Sequence, residues 1–110
     1  MKARHIADMY HVLASLPPFT RYKLPSDAEV EFKLTRSKML MGSYDVDPHT
    51  ICVSTHLCTT YQSLFETMAH EMVHLALERK GASDHSNHDS EFNALAAEVC
   101  DAWGWNFKEF

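Results

Sequence analysis

Ile6, Met9, Tyr10, Leu13 and Leu16 recur at the three- and four-residue intervals of one helix face, so residues 3–16 are expected to form an amphipathic helix stopped by Pro17-Pro18. The pattern then changes period. Residues 29–35, Glu-Val-Glu-Phe-Lys-Leu-Thr, alternate polar and apolar strictly, as a half-buried strand does. A second extended run, Lys38 to Tyr44, leads into the turn signal Asp45-Val46-Asp47-Pro48, and a short β-branched run follows at Thr50-Ile51-Cys52-Val53-Ser54. Three strands joined by short turns predict a small antiparallel or mixed sheet.

Beyond the strands, apolar residues wrap around a helix instead of striping it. Leu64, Phe65, Met68, Ala69, Met72, Val73, Ala76 and Leu77 cover nearly its whole circumference, which places it in the interior. Thr59 with Gln62 reads as the capping box at its start, and Arg79-Lys80 before Gly81 supplies cations and a left-handed terminator at its end. A last helix over residues 89–103 gathers Phe92, Leu95, Ala96, Val99 and Trp103 on one face and ends near Gly104. The fold class is α+β: an amino-terminal helix, a small three-stranded sheet, a central helix and a carboxy-terminal helix.

The chain has 110 residues, enough for one hydrophobic core, so residues 1–110 are expected to be a single domain. With 45% hydrophobic and 23% charged residues, and only 3 Gly and 4 Pro, disordered and collagenous classes are excluded. Net charge of −5 argues against non-specific nucleic-acid binding by the whole surface. The charge is uneven, however. Residues 1–40 hold seven Lys/Arg against four acids and carry +3, leaving −8 for the remainder. Weak DNA association is expected, if anywhere, through this basic third, although a solvated charged face is the plainer reading. No run reaches the roughly 18 apolar residues of a membrane span, and the stretch Ile6 to Leu16 is interrupted by Asp8 and His11. The expectation is therefore a soluble, unexported, cytoplasmic protein. Cys52, Cys58 and Cys100 are odd in number and form no C-x-x-C pair, so they read as small buried hydrophobes.

Three polar side chains break the central apolar helix: His70, Glu71 and His74. At about 100° per residue, Glu71 and His74 lie about 100° and 40° around from His70, so all three share one sector. This is H-E-x-x-H, two imidazoles one turn apart that can share a tetrahedral Zn²⁺, with a carboxylate beside the metal. Such a carboxylate can accept a proton from a zinc-bound water and deliver hydroxide to a carbonyl. Eight His and eight Glu in the chain would produce this pattern by chance only about 0.04 times. Without a metal, an apolar helix would bury two imidazoles and a carboxylate at a cost of several kcal/mol. A third ligand must come from His85 or His88. His88, at the threshold of the last helix in His88-Asp89-Ser90-Glu91-Phe92, is better placed to be held rigidly. His5, His11, His49 and His56 read as surface or supporting residues.

The order of these motifs resembles the SprT-like metallopeptidases, the group that includes bacterial SprT and the protease domain of Spartan, which acts on DNA–protein crosslinks. The family pattern is a Gly-containing strand, an I-x-[LV]-S-x-x-L segment, H-E-x-x-H on a helix, and H-G-x-x-F opening the next. Here these are Gly42-Ser43-Tyr44, Ile51-Cys52-Val53-Ser54-Thr55-His56-Leu57, His70-Glu71-Met72-Val73-His74 and His88-Asp89-Ser90-Glu91-Phe92, spanning about residues 30–103. The resemblance implies a zincin-like minimal metalloprotease domain in which His70, His74 and His88 bind zinc, Glu71 is the general base and Phe92 packs beneath the site. It also implies a peptide substrate docked along the strand Met41 to Tyr44. Tyr44 is a weaker candidate for oxyanion stabilisation, a core or surface role being the plainer one. Asp89 stands where the family has Gly, and no zinc ribbon or DNA-binding extension appears within the 110 residues. The expected function is zinc-dependent endopeptidase activity on a protein or peptide. The alternative is a catalytically silent, zinc-stabilised module that binds protein or DNA.

Overall fold

The computed structural model describes residues 1–81 and 90–110. Its element order is helix α1 (Ala3–Ala14), strands β1 (Glu31–Thr35), β2 (Gly42–Asp45) and β3 (Thr50–Ser54), then helices α2 (Tyr61–Arg79) and α3 (Ser90–Trp103). This is the α+β arrangement expected from the hydrophobic pattern. The sheet is mixed, with order β1-β3-β2: β1 runs parallel to β3 and β2 antiparallel to it. Two consequences follow for the site. β3 is the central strand, and β2 is an edge whose outer side has no strand partner among the described residues.

Local chemistry sets the boundaries. α1 stops at Ala14, two residues short of the expected end, because a residue before proline avoids helical geometry and Leu16 precedes Pro17. Residues 27–29 form a single 3₁₀ turn, so β1 begins only at Glu31. β2 likewise begins four residues later than its apolar run suggests. The Ser37 hydroxyl accepts hydrogen bonds from the backbone N–H groups of Met39 (3.1 Å) and Leu40 (3.0 Å), which turns that stretch out of extended conformation. The start of α2 corrects the capping expectation. The Thr60 hydroxyl accepts from Ser63 N–H and the Ser63 hydroxyl accepts from Thr60 N–H, while Gln62 reaches forward to Glu66. The box is therefore Thr60/Ser63, one residue later than Thr59/Gln62, because two short hydroxyls close it more directly than a long carboxamide. At its other end α2 finishes as expected, with Gly81 in the left-handed region at φ 78°.

α2 packs against β2 and β3, and against α1 and α3, which explains why its apolar residues run all the way round. The core joins Ile6, Tyr10 and Leu13 of α1, Ile51 and Val53 of β3, Met68, Met72 and Leu75 of α2, and Phe92 and Val99 of α3. All three thiols are free; Cys58 and Cys100 are buried and Cys52 is half-buried. No helix among the described residues is long and apolar enough to cross a membrane.

Tyr10 is completely buried, and its hydroxyl donates to the Pro25 carbonyl oxygen. Burial pushes its ionisation well above the ordinary value of 10. The folded chain thus holds the neutral phenol, so this residue's contribution is fully present below pH 10 and is lost as pH rises beyond it. Chemical denaturation of the parent across pH 9–12 should show stability falling above pH 10, with a shallower fall in Tyr10→Phe. Equal slopes would show that Tyr10 does not govern alkaline unfolding.

Candidate metal and catalytic site

The site begins with the rigidity of α2. His70, Glu71 and His74 sit in the second half of its 19 residues, where packing on several sides fixes the helix. His74 and Glu71 are each only 6% exposed, and His70 is half-buried. The two imidazole rings lie edge to face with centroids 5.2 Å apart. Phe92, from α3, packs against both, 4.6 Å from His74 and 5.0 Å from His70. This is the aromatic floor expected of that residue. The His70 Nδ1 lies 2.8 Å from the backbone oxygen of Phe110.

Glu71 projects toward β2 rather than into the ring pair. Burial, reinforced by the negative charge of Asp45, pushes its pKa from 4.5 up to about 8. Gly42 faces it directly. A Cβ added at that glycine would lie 3.1 Å from Glu71 Oε2, 3.0 Å from the Cys52 carbonyl oxygen and only 2.7 Å from Thr67 Cγ2. The missing side chain is therefore what lets β2 approach α2 beside the carboxyl group. A cleft of about 220 Å³ opens at this point, lined by residues including Met41, Gly42, Thr67, His70, Glu71 and Phe110. Its walls thus come from the edge strand, the central helix and the end of the chain.

The two imidazoles fit a shared metal ion. Rings bound through nitrogens at about 2.1 Å and tetrahedral angles have centroids about 5 Å apart, and the observed separation is 5.2 Å. A backbone oxygen only accepts hydrogen bonds, so the contact with Phe110 places a proton of His70 on Nδ1. Among the described residues no group of three His, Cys, Asp or Glu side chains is arranged to hold a metal. His88, together with His85 and Asp89, lies outside the described residues.

The remaining histidines have other local surroundings. His5 accepts from the Lys2 N–H at the start of α1, His11 lies 3.6 Å from Asp27, and His56 is exposed. His49 Nδ1 lies 2.6 Å from the Tyr44 hydroxyl, with the two rings stacked. That contact gives Tyr44 a structural bond at the far end of β2. Ser54, the last residue of β3, is fully buried. Its hydroxyl donates to Ser37 and accepts from the N–H groups of His56 and Leu57, fixing the loop that leads to α2.

Phe92 packs against both imidazoles as expected, while three features are not read from the sequence pattern: the steric role of Gly42, the buried Thr67 against it, and the Phe110 backbone oxygen. An isolated glycine in an apolar strand was a usable signal for the first. Nothing in side-chain identity signals a backbone acceptor forty residues away.

Taken together, the chain is a small α+β domain that sets its central H-E-x-x-H helix beside an edge strand. The SprT-like family model matches residues 11–108, nearly the whole chain, and this chain belongs to the SprT-like family. No curated protein matches it.

Proposed function

We propose that this domain is a zincin-like, zinc-dependent endopeptidase that hydrolyses peptide bonds in extended segments of protein substrates. The observation that carries the reading is a buried Glu71 carboxyl, opening onto a cleft beside two imidazoles at metal-sharing separation. His70 and His74 would hold zinc, with His88 as the proposed third ligand. Once bound there, zinc supplies Lewis acidity to the scissile carbonyl and to the attacking water.

The chain's own residues do the rest. The outer side of β2, which has no strand partner among the described residues, is where an extended peptide would add to the sheet as a further strand. Met41 and Phe110 flank the cleft and exclude water from one side of the bound segment. Glu71 takes the proton of the attacking water on its carboxylate as the new C–O bond forms, then passes it to the departing amine as the C–N bond breaks.

Elemental analysis of the purified chain should give one zinc per molecule, and casein or a generic peptide should be cleaved in a reaction stopped by a chelator. One zinc without cleavage of any extended substrate would leave the silent binding module as the better reading. No zinc in a folded chain would remove both.

A further inference from the structure

We propose that the segment 104–110 is a positioning element for the metal site, acting through the backbone oxygen of Phe110 on His70. This inference rests on the reading of His70 as a metal ligand. Free imidazole favours the tautomer protonated on Nε2, which would direct the wrong nitrogen toward the ion. The Phe110 oxygen, 2.8 Å from Nδ1, holds the other tautomer, and the Phe110 ring lies 5.3 Å from the imidazole, restricting its rotation.

The segment is built to deliver that oxygen. α3 ends at Trp103, and Gly104, at φ 73°, reverses the chain. Trp105 N–H then donates to the Cys100 carbonyl oxygen (3.0 Å), tying the returning strand to α3. Trp103 and Trp105 stack at 5.4 Å, and Trp105 and Phe110 at 6.3 Å. Asn106 caps the short turn Phe107–Glu109 by accepting from Lys108 N–H, and Phe110 N–H donates to Phe107. A tail that only covered the core would need the aromatic stack. It would not need a hydrogen bond to a ring nitrogen of the metal-site helix, nor would it line the cleft, as Glu109 and Phe110 do.

The test measures zinc affinity by chelator competition, with cobalt-loaded visible spectra and melting of the metal-free protein alongside. Removing Phe110, so that the chain ends at Glu109, should weaken zinc binding by about 10–100-fold and alter the cobalt spectrum. Phe110→Leu, which keeps the backbone oxygen but loses the ring, should weaken zinc binding less than the shortened chain does. A shortened chain that binds zinc as tightly as the parent would overturn the proposal. If His70→Ala also left affinity unchanged, the assignment of His70 as ligand would fall with it; if His70→Ala lost zinc and the shortened chain did not, only the positioning role would fall. Should the shortened chain fail to fold, nitrogen-15 NMR of the metal-free parent decides. A His70 protonated on Nδ1 supports the proposal, and one protonated on Nε2 overturns it.

Discussion

Glu71→Gln is expected to abolish peptide cleavage, retain one zinc per chain, and make the metal-free protein more stable at pH 8. Loss of a general base alone costs about 10²–10⁴ in rate, and this residue is asked to serve in both proton transfers. Zinc is retained because the carboxyl faces Gly42 and is not one of the two imidazoles. The stability gain has a definite sign. Burial raises the Glu71 pKa from 4.5 to about 8, so the folded metal-free chain binds a proton that the unfolded chain releases. Below pH 4.5 there is no penalty; between there and about pH 8 stability is progressively lost, by an upper figure of roughly 4–5 kcal/mol. Glutamine keeps the shape without the charge and removes that slope. Denaturant titrations of both proteins with chelator present, at pH 5 and pH 8, check the result. A parent–variant difference that does not grow with pH would refute the electrostatic account, and a variant that cleaves at the parental rate would refute the catalytic one.

Gly42→Ala should be nearly as damaging, although it adds a single methyl group. The closest obstruction is Thr67 Cγ2, 2.7 Å from the new Cβ. Thr67 is buried, β-branched and therefore stiff, and its hydroxyl lies 3.3 Å from Cys58 Sγ. It cannot swing aside, so β2 must move off α2, at about 1–3 kcal/mol for overpacking of this kind. The displacement falls beside the Glu71 carboxyl, so activity should fall by more than the loss of folded protein explains. Thr67→Ser removes Cγ2 while keeping the hydroxyl, and Gly42→Ala should cost less in that background. The Cys52 carbonyl oxygen, 3.0 Å from the same Cβ, keeps the rescue partial. Additive effects in thermal melts of the four proteins would show that the contact with Thr67 is not the cause.

The contrast between Glu71 and Gly42 shows what a linear sequence reveals. Glu71 was legible because helical geometry is local: the five residues from His70 to His74 set two imidazoles one turn apart with a carboxyl beside them, and the apolar residues around them announce burial. The interior position of α2, the end at Gly81 and the strand at Thr50–Ser54 were readable for the same reason. Gly42 marks the limit, since its role depends on how closely two elements separated by some twenty residues approach each other. Strand starts were misjudged where a side chain competed for the backbone, as Ser37 does at Met39 and Leu40. The parallel pairing of β1 with β3 was also beyond pattern reading, which fixes period but not neighbour.

β2 is four residues long, and at about 3.4 Å per residue it spans roughly 14 Å. A grip of that reach touches a partner at only a few backbone positions, too few to pry open a folded protein. Under the proposed docking, targets would have to present a slack stretch of their own, and selectivity would follow which chains are already loose more than which letters they carry. The same brevity would limit how firmly two copies could zip together along this margin.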